Sequence, residues 1–79
     1  MRLSIYSLKK IEFEGEATAL TVKTTTGEIT LLDHHVPLIT LLAPHQATIT
    51  TPDRSRTRLN ISGGFLEMNR QNTLTVLAD

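Results

Sequence analysis

Apolar and polar residues alternate along most of the chain. Leu3 and Ile5 fall on one side of an extended segment, with Arg2, Ser4 and Tyr6 on the other. The rhythm returns in Ile11, Phe13 and Gly15 against Glu12, Glu14 and Glu16, and in Leu20 and Val22 against Thr21 and Lys23. It recurs in Ile29 and Leu31 against Glu28 and Thr30, and in Thr57, Leu59 and Ile61 against Arg56, Arg58 and Asn60. Leu74 and Val76 against Thr73 and Thr75 close the series. Successive side chains of a strand point to opposite faces, so each stretch predicts a half-buried strand.

Turn chemistry separates these stretches. Thr25-Thr26-Gly27 supplies the positive φ of a tight hairpin. Pro52-Asp53-Arg54-Ser55 fits a type I turn that starts at Thr51 and has Pro in its second place. In Asn69-Arg70-Gln71-Asn72, asparagine tolerates the left-handed region. Gly63-Gly64, set between apolar segments, marks a bulge or a close backbone approach. Val36 to Ala43 reads either as a two-turn helix opened by Pro37 or as an extended segment. Pro44 cuts it short, and the extended reading is preferred. Short strands with regular turns predict an all-β sandwich or barrel.

Composition narrows the function more than the fold. The 79 residues make one domain, residues 1–79, with no room for a cleft between two lobes. There is no cysteine, so disulfides and thiolate metal sites are excluded. Eight basic residues balance eight acidic ones, and Tyr6, Phe13 and Phe65 are the only aromatics. That combination argues against a nucleic-acid platform, which needs positive potential and stacking rings. The longest nearly apolar run, Leu38 to Ala43, is far short of the ~20 residues of a membrane span. Met1-Arg2-Leu3-Ser4 shows no signal-peptide core.

No chemical constellation is complete. Glu12, Glu14 and Glu16 read as a solvated strand face. His34 and His35 are adjacent, so an extended chain points them apart; with His45 they lack the further ligands of a metal centre. Arg54, Arg56 and Arg58 form a period-two stripe able to meet phosphates, which keeps a free-standing β-barrel binding module for nucleic acid as the alternative. No nucleophile–base set or phosphate-binding loop is present, so an enzyme is not expected.

An ordered series of motifs is more specific. Phe13-Glu14-Gly15-Glu16 is followed by Thr26-Gly27-Glu28-Ile29-Thr30-Leu31-Leu32 and His35-Val36-Pro37-Leu38-Ile39-Thr40. Then come Ile61-Ser62-Gly63-Gly64-Phe65-Leu66-Glu67 and Leu74-Thr75-Val76-Leu77-Ala78-Asp79. In this order they resemble the N-terminal domain of the epsilon subunit of F-type ATP synthases, over essentially the whole chain. The resemblance implies a flattened β-sandwich of about eight to ten short, mostly antiparallel strands. It implies a non-catalytic rotor subunit without cofactor, held by the gamma subunit and the c-ring, which helps couple ion translocation to ATP synthesis. It implies membrane association only through the complex, on the cytoplasmic face of a bacterial membrane, and no nucleic-acid partner. Thr26, Gly27 and Glu28 match the ring-facing loop, while Ser7, His35, Pro37, Leu38 and Thr40 match positions facing gamma. Leu8-Lys9 departs from the usual Pro-Glu, and His34 and His45 stand where the family commonly has glycine (or asparagine at the former). The family's C-terminal helical hairpin has no counterpart in these 79 residues, so epsilon-type inhibition of hydrolysis and regulatory ATP binding are not expected of them.

Overall fold

The alternating stretches become nine strands in the computed structural model, which describes residues 1–79 and contains no helix. They are β1 (Arg2–Tyr6), β2 (Ile11–Glu16), β3 (Ala19–Thr24), β4 (Gly27–Leu32), β5 (Leu38–Leu42), β6 (His45–Thr50), β7 (Arg56–Ile61), β8 (Gly64–Met68) and β9 (Thr73–Ala78). Pairing runs β2-β1-β9-β8-β5-β3-β6-β7, with β4 on the free side of β3. β5 and β3 share a single pair, Leu42 with Thr24, and the sheet curls over at that point. One layer is therefore β2-β1-β9-β8-β5 and the other β4-β3-β6-β7. β1 and β9 are parallel; all other neighbours are antiparallel. The extended reading of Val36 to Ala43 holds, since β5 lies within it.

The core follows the alternation. Leu3, Ile5, Leu66, Met68, Leu74 and Val76 of the first layer join Leu20, Val22, Leu31, Ala47, Ile49 and Ile61 of the second in one buried cluster. Each fully buried aliphatic side chain contributes about 1.5–3 kcal/mol of transfer free energy.

Three expectations need correction. Ile11 does not share the inner side with Phe13: the register passes from Ile5↔Phe13 to Tyr6↔Ile11, skipping Glu12. This β-bulge turns Ile11 outward, where it is 58% exposed. For the same reason Glu12 leaves the row of Glu14 and Glu16; it is half-buried, with Lys10 Nζ 3.9 Å from its carboxylate. Arg54 is not part of a strand stripe either. It occupies the left-handed region at φ 69 in the β6–β7 turn, where its N–H donates to the Thr51 carbonyl at 2.8 Å. That bond bears out the turn starting at Thr51. Asn72, at φ 59, takes the left-handed position expected of the Asn69–Asn72 connection.

The Met1 ammonium ties the start of β1 to the far end of β4. It donates to the Ala17 carbonyl at 2.9 Å and to Asp33 Oδ1, and lies 3.6 Å from a Glu16 carboxylate oxygen. The hydrogen bond from this ammonium, then one from the Asn72 amide, holds the Asp33 carboxyl below the usual carboxylate range. A depressed folded pKa gives stability that is full above the unfolded value of ~3.9 and is lost as pH falls through the folded value. Asp53 acts in the same direction through hydrogen bonds from Thr51 and Ser55. Asp33→Asn is therefore expected to be less stable at neutral pH and to lose less on acidification. Urea midpoints followed from about pH 6 to about pH 2 check this; an acid limb as steep as that of the parent chain would contradict it.

Candidate docking interface

The β3–β4 hairpin presents the first set of expected site residues. Thr24 pairs with Gly27 across the two-residue loop Thr25-Thr26, and Gly27 carries the positive φ at 140°. Thr24 Oγ1 donates to the Gly27 carbonyl at 2.8 Å and accepts from the Thr26 N–H at 3.2 Å. The loop is thus braced from within. Thr26, Gly27 and Glu28 are all exposed, with Glu28 opposite Lys23.

The second set is spread out. Pro37 and Leu38 line an open concavity of about 520 Å³ with Ile39, with Glu67 and Met68 at the end of β8, and with Asn69 to Gln71 of the β8–β9 turn. Leu38 also packs against the core, and Thr40, paired with buried Leu66, points to the inner side. His35 lies in the β4–β5 loop, its Nδ1 2.8 Å from the Val36 carbonyl. Ser7 sits beyond β1, where its N–H donates to the Lys10 carbonyl at 2.9 Å. β1 ends beside the end of β9, whereas Leu38 begins β5 on the far side of β9 and β8. Ser7 is therefore at the opposite end of the layer from Pro37 and Leu38.

The pairing registers bring together a set that the alternation alone does not reveal. Leu41 pairs with Phe65, Phe65 with Leu77, Leu77 with Tyr6, and Tyr6 with Ile11. Paired residues share a face, so these five cross the whole outer side of the first layer in one row. Phe65 and Leu77 are 43% and 42% exposed, and Leu41 more so. A contiguous apolar row on a sheet's outer face is a candidate interaction surface. The available signal was apolar residues at both parities, as in Leu41-Leu42, Phe65-Leu66 and Val76-Leu77.

Zero net charge conceals two unlike faces. The outer side of the first layer bears Glu14, Glu16 and Glu67 against Arg2, and that of the second bears Lys23, Arg56 and Arg58 against Glu28. Arg56 and Arg58 stand beside Thr50 and Thr48, with no aromatic side chain in that face for a base to stack on. The histidines are occupied separately. His34 is engaged through its backbone N–H, which donates to Asn72 Oδ1 at 2.6 Å. His45 Nδ1 lies 2.5 Å from the Ala43 carbonyl, to which it donates, and the buried Nε2 has no hydrogen-bond partner.

Comparison with known proteins agrees with this architecture. The family model for the β-sandwich domain of the ATP synthase delta/epsilon chain matches residues 1–79. The ATP synthase epsilon chain of Stenotrophomonas maltophilia is 40% identical over 79 residues, which is all of this chain and 56% of that one. That of Psychrobacter cryohalolentis is 38% identical over the same span. The chain thus spans little more than half the length of these curated relatives. Among solved structures, a chain of the Euglena gracilis mitochondrial ATP synthase superposes with a TM-score of 0.90 at 23% identity, covering 96% of this chain and 48% of that one. A chain from the central stalk and c-ring of the Tetrahymena thermophila enzyme gives 0.81 at 17% identity, covering 99% of this chain and 62% of that one. These two show the shared fold, a β-sandwich-like domain. The whole-chain match and the identity to the epsilon chains establish that the chain belongs to the delta/epsilon chain β-sandwich family of ATP synthases.

Proposed function

We propose that this domain is a non-catalytic part of the central stalk of a rotary ATP synthase, docking on the gamma subunit and the c-ring and helping to couple ion flow to ATP synthesis. The observation that carries the docking is the exposed row Leu41, Phe65, Leu77, Tyr6 and Ile11. A close-packed sandwich transmits torque because its interior yields little, and the row gives it an apolar contact with a rotating partner. Pro37, Leu38 and the concavity beside them extend the gamma-facing side, with His35 in the adjoining loop. Ser7 directly follows Tyr6 at the β1 end of the row, whereas Thr40 turns to the inner side and stays out of the proposed contact. The c-ring contact falls to the braced hairpin at Thr26, Gly27 and Glu28. The complex then holds the domain at the cytoplasmic face of a bacterial membrane.

Co-purification with the gamma subunit tests the reading; absence of a complex at micromolar concentrations contradicts it. The hairpin contact has its own test. Glu28→Lys is expected to leave the melting curve unchanged, because the side chain is exposed, and to lower ATP-driven proton pumping in reconstituted vesicles. Pumping equal to that of the parent complex removes Glu28 from the ring contact.

A further inference from the structure

Each layer ends in two edge strands, and three of the four edges are guarded by charge. β2 carries Glu14 and Glu16, β4 carries Glu28, and β7 carries Arg56 and Arg58. Charged side chains on an edge discourage the addition of another strand, since a new neighbour must desolvate them. β5 is the exception. From Leu38 to Leu41 its only ladder partner is β8, because contact with β3 is confined to Leu42. Its sequence Leu38-Ile39-Thr40-Leu41-Leu42 holds no charge, and Ile39 is 70% exposed. A strand paired on one side presents its remaining N–H and C=O groups on the other, in the spacing another strand needs. At the start of β5 the concavity beside Pro37 and Ile39 lies toward β8 and its following turn, and so leaves the open edge clear. Leu41, at the other end, begins the apolar row, so the open edge is continuous with the proposed docking face.

We infer that β5 is a strand-addition site, which an extended, uncharged and largely apolar segment of the rotor partner joins edge to edge. Main-chain hydrogen bonds supply the register, and side chains on the row side supply the apolar burial. The chemistry of the edge selects this occupant. Unpaired ladder groups are matched by another strand and not by a helix, and the lack of charge matches an uncharged segment. The inference takes the identity of the partner from the stalk reading, and the tests separate the two.

Amide hydrogen exchange of the 79-residue chain, free and bound to the gamma subunit, reads the edge directly. Amides of residues 38–41 that point away from β8 are expected to exchange at least ~10-fold more slowly in the complex. A complex that forms with these amides unchanged overturns strand addition and leaves the stalk reading standing. No complex at all overturns both. Protection appearing in the domain alone, with a doubled mass, assigns the edge to a second copy and overturns the partner assignment. A variant gives an independent reading. Ile39→Lys places a charge on the exposed side without touching the core, so it is expected to melt like the parent and to bind gamma at least ~10-fold more weakly. Unchanged affinity for Ile39→Lys overturns the inference.

Discussion

Gly64→Ala is expected to cost about 4 kcal/mol or more, enough to unfold most of the population of a domain this small. A methyl group on Gly64 falls 2.0 Å from the Leu77 carbonyl oxygen and 2.9 Å from Ala78 Cα. Both atoms are backbone of β9, the strand that pairs with β8 through Gly64↔Ala78. Relief requires the two strands to separate, and they carry Leu66, Met68, Leu74 and Val76 of the core. The φ of +119 adds conformational strain of about 1–3 kcal/mol for any L side chain. Gly27→Ala is the control. Its φ is +140, but a methyl group there meets nothing within 4 Å, so it suffers the strain without the collision. Urea unfolding of the two variants decides the matter. Midpoints for Gly64→Ala and Gly27→Ala equivalent to within about 1 kcal/mol would show that the approach to β9 is not what demands glycine.

The adjacent glycines were visible in the sequence because a Gly-Gly pair weakens any strand it interrupts, so its place between apolar segments signals a bulge or a close backbone approach. Strands were visible for a similar reason: a period of two is local, and it survives whatever the strand pairs with. Register is not local. The bulge that turns Ile11 outward exists only in the pairing of β2 with β1, and the parallel pairing of β1 with β9 joins the two ends of the chain. Nothing in either segment alone announces these. The apolar row fails to show for the same reason, since Leu41, Phe65, Leu77, Tyr6 and Ile11 meet only once four registers are set. Motif matching named Ser7 and Pro37 as one side of the domain, but a motif carries no distances, and the strand order places them at opposite ends of the layer. Charge misled in a related way. A balanced total is compatible with a uniform surface or with two opposed faces, and the fold produces the second.

Phe65 and Leu66 are neighbours in sequence on opposite sides of β8, and they are expected to separate docking from folding. Leu66 is fully buried, so Leu66→Ala should cost about 2–5 kcal/mol of stability. The surviving folded fraction should bind gamma as before, because the truncated side chain never reaches the outer face. Phe65→Asp should do the reverse. Its ring lies on the outer row between Leu41 and Leu77, so loss of strand propensity and of these cross-strand contacts costs the fold about 1–2 kcal/mol, less than the core truncation. Binding carries the larger penalty. An aromatic side chain at the centre of an apolar contact is typically worth about 2 kcal/mol or more on truncation, and a buried carboxylate adds desolvation, so affinity for gamma should fall ~30–100-fold. Calorimetric titration of gamma with each variant, beside its urea curve, tests both halves. If Phe65→Asp binds like the parent chain, the apolar row is merely solvated. If Leu66→Ala weakens binding as much as Phe65→Asp, at concentrations where it is folded, gamma responds to the rigidity of the sandwich and not to its outer face. Only a crossed result, with stability lost on one side of β8 and affinity on the other, assigns the row to the partner.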